Sequence, residues 1–245
     1  MTVTPLAAGD HDLLALDDMW EATSLDRWRA PRLAARVAAY DATAPDVPPL
    51  LGAGPVVPLR PVRDRLHRLL AARRSGRVFG GPPLRHRHLE HLLAAVGPAG
   101  DGRRTVPEAG GLDAVHAYAV VRRARGPLGG TVVRYDHHAH AAQVVAAAPT
   151  DDHLRAVFQI EGDTLPQAVV VLVVDLAAVT AKYGARGGRF ALQQVGHAAQ
   201  NLSLRVAADG LTGYLLGAAL DREVLEVVGV AHTGVRYGGA LACGR

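Results

Sequence analysis

The sequence predicts an α+β fold with an antiparallel-rich central sheet flanked by helices, and three observations carry that prediction. Helix-period and strand-like segments do not alternate as regular βαβ units. The strand-like segments come as hairpins around glycine turns, as at residues 126–130. No GxGxxG follows a strand and no GxxxxGK(S/T) occurs, so neither a nicotinamide Rossmann site nor a P-loop is expected.

Residues 1–60 form an N-terminal extension. Within it, 17–40 read as one or two short amphipathic helices and 44–59, with five prolines, as a proline-rich connector. The main domain is expected over 61–245. Pro61 suits the first turn of a helix, and Val62, Leu66, Leu69 and Leu70 recur at helical spacing as far as Arg74. A second helix is expected over 87–96, stopped by Gly97. Residues 114–122 and 131–135 read as the strands of a hairpin. Thr150 or Asp151 caps a short helix that runs to Phe158. The segment AVVVLVVDL, 168–176, predicts a strand buried on both faces. The longest helix follows over 189–209, with Leu192, Val195, Ala199, Leu202 and Val206 on its apolar stripe. Gly196, Ala198 and Ala199 keep one side of it thin enough for another backbone to approach. Gly210 ends it, 212–216 and the last few residues read as strands, and a helix over 221–228 lies between them.

A chain of 245 residues buries a sizeable core. Its single cysteine, Cys243, excludes an internal disulfide and any CxxC motif. The longest apolar run, 168–174, is too short to cross a bilayer, and no basic segment leads an apolar stretch. A cytoplasmic protein without a membrane partner is expected. Net charge is only +4, and the one dense basic stretch, from Arg60 to Arg77, lacks zinc-finger spacing and interleaved aromatics. No nucleic-acid partner is expected.

Several clusters could carry chemistry. Arg73, Arg74, Ser75 and Arg77 lie where a helix gives way to a glycine-rich loop, and guanidinium groups there can grip a phosphate bidentately. A solvated, arginine-rich helix terminus is the plainer alternative. Pro107, Glu108, Ala109, Gly110 and Gly111 form a side-chain-poor loop that suits either a flat ligand or an ordinary strand entry. Of the 27 lysines and arginines only Lys182 is a lysine, and Tyr183 follows it. Arginine replaces lysine as a solvated cation, but not where a proton must leave near neutral pH. His137, His138 and His140 have no nearby carboxylate or cysteine that completes a credible ligand set, so no metal site is expected. His197 reads as a buried helix histidine. Gln200 and Asn201 are placed to hydrogen-bond across a helix interface or to a ligand edge. No GxSxG or HExxH supports a hydrolytic reading.

In order, RRSGRVF (73–79), PEAGG (107–111), YDHHAH, KYGARGGRFALQQVGHAAQNLSLRVAADGL (182–211), GYLLGA (213–218) and ACGR (242–245) resemble the flavin-dependent nitroreductase-like superfamily. Within it they are most similar to the SagB-type azoline dehydrogenases, which form thiazoles and oxazoles in ribosomal peptide natural products. The resemblance spans roughly residues 60–245. It implies a nitroreductase-like, FMN-binding homodimer, with the long helix at the dimer interface and each flavin between subunits. Arg73, Ser75 and Arg245 would hold the FMN phosphate and ribityl chain, joined by Arg74 and Arg77. Residues 107–111 and Gly213, Tyr214, Leu215, Leu216 and Gly217 would lie against the isoalloxazine, with Gln200 and Asn201 beside them. Lys182 and Tyr183 would act on the substrate.

The implied reaction oxidises an azoline of a precursor peptide to an azole, a step of thiopeptide type, with molecular oxygen regenerating the flavin and a cyclodehydratase as partner enzyme. It removes one ring proton, for which Lys182 and Tyr183 serve as a coupled base, and one hydride, which the flavin accepts. Two alternatives are a related flavin oxidoreductase acting on another small molecule with NAD(P)H, and a non-catalytic scaffold subunit. Glu108 motivates the last, because it stands where the family loop usually has serine, and a carboxylate there opposes an anionic reduced flavin.

Overall fold

The computed structural model describes residues 8–43, 57–100, 102–231 and 233–245. Two helices lead the chain, α1 (Ala8–Thr23) and α2 (Ala30–Thr43), and most of the expected proline-rich connector lies outside the described residues. Then come α3 (Arg65–Ala72), α4 (His86–Ala94), the small ladder of β1 (Pro98–Gly100) and β2 (Arg103–Arg104), and a 3-10 turn at Ala109–Gly111. The main sheet takes β3 (Val115–Val121), β4 (Thr131–Asp136), β5 (Ala141–Ala147), β6 (Ala168–Val174), β7 (Thr212–Leu216) and β8 (Arg236–Gly244). Helix α5 (Asp151–Phe158) precedes β6, α6 (Leu176–Tyr183) and α7 (Gly187–Ala208) follow it, and α8 (Asp221–Val227) joins β7 to β8.

The six strands run in the order β5-β4-β3-β6-β8-β7, and every neighbouring pair is antiparallel. All seven residues of β6 are buried. Their alternation divides the core in two: Ala168, Val170, Leu172 and Val174 face a cluster with α1, α4, α6 and α7, while Val169, Val171 and Val173 face one with α5 and α8. The α+β fold with an antiparallel sheet flanked by helices is the one expected.

Several local expectations differ. The α3 helix starts at Arg65 rather than at Pro61, because the Asp64 side chain accepts the His67 N–H at 2.7 Å and caps it. Leu176 begins a helix instead of ending a strand, with Asp175 as its N-cap. The alanine-rich β5 has little β propensity of its own and gains its order from pairing with β4. On α7 the buried stripe is Ala191, Gln194, Val195, Ala198, Leu202 and Val206; Leu192 and His197 are exposed on the opposite side with Gln193, Gly196 and Gln200.

Helix α1 inserts Leu16 and Trp20 into the core, and the Trp20 indole N–H donates to the Tyr237 carbonyl at 2.9 Å. Its approach to the α6–α7 junction requires glycine: a Cβ at Gly188 would collide with Leu16, and one at Gly184 with the Asp12 carboxylate. An ion pair from Arg236 to Asp17 fastens the other side of α1.

Candidate functional site

The chain leaves α3 at Arg73 and runs extended beside β7, where the Gly76 N–H donates to the Gly213 carbonyl at 3.0 Å. Both glycines permit this contact, since a Cβ on Gly76 would press on Thr212 and one on Gly213 on the Ala242 carbonyl. The result is a cavity of about 340 Å³ lined by Arg73, Arg74, Ser75 and Arg77, by Gln200 and Ser203 of α7, and by Gly213, Tyr214 and Leu215. Eight of the expected cofactor residues therefore meet in one place.

Its electrostatics are one-sided. Among the described residues, Arg73, Arg74 and Arg77 enter no ion pair, and no acidic side chain lines the cavity. The Arg77 guanidinium lies 5.1 Å from the centroid of the Tyr214 ring, which stacks on Phe79 at 6.3 Å. Burial pushes the Tyr214 phenol above its usual range and keeps it neutral. Three guanidinium groups, a hydroxyl and an aromatic face fit a phosphate-bearing planar ligand such as FMN. A second hollow of about 580 Å³ adjoins the first through Arg77, Tyr214 and Leu215, and takes in Leu216, Gly217 and the Leu33 and Val37 side of α2.

Lys182 and Tyr183 occupy the last turn of α6. Lys182 Nζ donates to the Gly110 carbonyl at 3.0 Å, and a Cβ on Gly110 would collide with both Nζ and the Tyr183 hydroxyl. Gly110 and Gly111 have φ of 61° and 70°, which fold the loop under this pair. Tyr183 also packs edge-on against Phe190 with centroids 4.9 Å apart. None of Pro107 to Gly111, Lys182 or Tyr183 lines the arginine cavity. Gln200 lies about 20 Å along α7 from its first residue, at 1.5 Å per residue. One chain thus carries the two groups of candidate residues at opposite ends of α7.

Three candidates have other engagements. Glu108 turns to Arg104, with Oε1 accepting from Nη1 at 2.8 Å, and Arg104 also holds Asp113 at 2.8 Å and the Val96 and Val115 carbonyls. Burial pushes the Glu108 carboxyl up, against the pull of Arg104. Asn201 is pinned by donating to the Ala95 and Thr105 carbonyls, at 3.1 and 2.9 Å, away from the cavity. The Arg245 carbonyl accepts from Gly80 and Gly81, both at 2.8 Å, so the chain end braces the loop after the arginine segment. Sequence reasoning missed Arg104, which has no local motif, and Ser203, one turn beyond Gln200.

The sequence profile of the Nitroreductase family matches residues 70–245. The chain belongs to the nitroreductase family. A protein of Methanocaldococcus jannaschii, provisionally named a nitroreductase, is 32% identical over 168 residues, which cover 67% of this chain and 84% of that one. Membership in the nitroreductase family supports oxidoreductase chemistry, and the matched segment contains every candidate site residue.

Solved structures extend the likeness of fold. A chain of the E. coli microcin synthetase McbBCD complex, with truncated pro-MccB17 bound, superposes with a TM-score of 0.77 at 21% identity, covering 96% of this chain and 93% of that chain. A chain from Ralstonia eutropha, provisionally named a nitroreductase, gives 0.63 at 22% identity, covering 78% and 87%. The described residues include no helix long and apolar enough to cross a membrane.

Proposed function

We propose that this member of the nitroreductase family is an FMN-dependent azoline dehydrogenase, acting as a homodimer on precursor peptides. The observation that carries the reading is the cavity where Arg73, Arg74, Ser75 and Arg77 face Gly213, Tyr214 and Leu215 without counter-charge. The peptide substrate is supported by the likeness of fold to a chain of a synthetase complex holding a peptide, which also fits a cyclodehydratase partner.

Bound FMN supplies the two-electron acceptor for the hydride that leaves the azoline ring. The arginines bind the phosphate and fix its place, and Tyr214 with the small residues beside it gives a flat wall. Lys182 and Tyr183 take the ring proton, held over Gly110 by the hydrogen bond to its carbonyl. A second copy completes the site: its Lys182 end meets the first copy's arginine cavity along the exposed face of α7. With Glu108 bound to Arg104, the carboxylate that motivated a scaffold role is partnered away from the cavity.

Mass spectrometry of an azoline-bearing peptide incubated with FMN-loaded protein tests the reading. A loss of about 2 Da per ring, the two hydrogens removed, supports it; an unchanged mass with fully loaded protein refutes it. The name of the archaeal relative favours a second reading, reduction of a small molecule with NAD(P)H. Rapid NAD(P)H consumption without any azoline substrate would favour that one.

A further inference from the structure

The register of β3 against β4, Tyr118 opposite Arg134, carries the start of β3 to the end of β4. Asp113, two residues before β3, thereby meets His137 and His138 in the turn after β4, although 24 positions separate Asp113 from His137. One ligand atom from each of the three lies within 4.8 Å of the others. Asp113 Oδ2 is 3.3 Å from His137 Nε2 and 3.8 Å from His138 Nε2. With metal–ligand bonds of about 2.0–2.2 Å, the edges of a tetrahedral site measure about 3.3–3.6 Å. Of the three edges, Asp113–His137 falls in that range, Asp113–His138 needs a shift of a few tenths of an ångström in an exposed ring, and His137–His138 lies within 4.8 Å.

We propose that Asp113, His137 and His138 bind one divalent transition-metal ion of the zinc class. The surroundings favour it in three ways. Arg104 donates to Asp113 Oδ1 at 2.8 Å, which turns Oδ2 toward both imidazoles, the outer contact that orients a carboxylate ligand. His116 faces that same Oδ1, at 3.8 Å, and stands outside the ligand set. Formal charge is also suitable: ionised Glu108 and Asp113 exceed Arg104 by one negative charge, so a dication is not met by net positive charge. Finally, His137 is only 5% exposed, so its ring is already held in place beside Asp113.

His138 is 79% exposed, so the fourth position opens to water. Through Arg104, which also holds Glu108, the ion would clamp the β4–β5 turn to the loop that carries Gly110. The site stands independently of the flavin reading.

The test is zinc titration by calorimetry on the full-length protein after chelator treatment, with cobalt absorption as a second readout. One equivalent per chain is expected, with ligand-field bands for cobalt. His138→Ala removes an exposed ring and should keep the fold, as checked by circular dichroism, while weakening zinc at least about 100-fold, the upper end of what loss of an outer-shell partner costs. His153→Ala, which removes an exposed histidine of α5, should bind like the parent. No binding by the parent, equal binding by His138→Ala, or loss in His153→Ala would overturn the proposal.

Discussion

Lys182 Nζ donates to the carbonyl of Gly110 at 3.0 Å, joining the end of α6 to a loop 72 residues earlier in the chain. The contact exists because Gly110 has no Cβ and adopts φ of 61°. Gly110→Ala adds both a collision with Lys182 and Tyr183 and the cost of a left-handed alanine, about 1–2 kcal/mol. Oxidation should fall by about 100-fold, roughly the consequence of an ångström of misplacement, and by much more than FMN affinity does. Fluorescence titration with FMN beside a turnover assay separates the two effects.

The arginine cavity predicts the converse. Arg73→Ala or Arg77→Ala removes a charge-assisted hydrogen bond of about 1.5–3 kcal/mol, so FMN should bind about 10- to 100-fold more weakly. Lys182→Arg keeps a cation but cannot give up its proton near neutral pH. It should retain FMN and lose oxidation. Asn201→Ala should leave FMN affinity unchanged and lower stability by about 1 kcal/mol, the ordinary net worth of a hydrogen bond, because the Ala95 carbonyl keeps the Thr105 hydroxyl and Thr105 is exposed to water.

Much of the cavity was legible because its residues form two short motifs, 73–77 and 213–217, whose order matches a family. What joins residues across the sheet was not. Asp113 reaches His137 only through strand register, and Arg104 reaches Glu108 only because a two-stranded ladder turns it inward. The α6 helix was hidden because its apolar start continues the composition of β6, with the capping Asp175 as its one local signal. Leu192 is misplaced by taking 192 rather than 191 into the stripe of α7, and His197 by reading the small-residue part of the helix as buried. One position on a helix is about 100° of rotation, enough to exchange the core face for the outer one.

Arg104 is a positive charge, 7% exposed at its side chain, between two carboxylates. Arg104→Met leaves Glu108 and Asp113 facing each other and should cost about 3–5 kcal/mol in chemical denaturation. Adding Glu108→Gln should restore part of that loss by removing one of the stranded charges.

His88 is buried at 3% exposure and accepts the Arg85 N–H at 3.3 Å. Burial lowers its pKa from 6.5, so the folded chain keeps it neutral while the unfolded chain takes up a proton. Its contribution is present above pH 6.5 and is lost as pH falls through the folded pKa. The slope is at most about 1.4 kcal/mol per pH unit. Urea midpoints measured downward from neutral pH should drop more steeply for the parent than for His88→Asn.

The central claim is that one chain's arginine cavity works with another chain's Lys182 and Tyr183. Coexpression of Arg73→Ala and Lys182→Ala protomers tests it most directly. The assay uses an FMN concentration that loads the parental cavity but leaves Arg73→Ala alone unloaded and inactive, while Lys182→Ala alone lacks its base. Random pairing makes half of the dimers mixed, and each mixed dimer holds one intact site, so azoline oxidation should return to about a quarter of the parental rate. A mixture as inactive as either variant alone, with mixed dimers present by native mass spectrometry, would contradict the account.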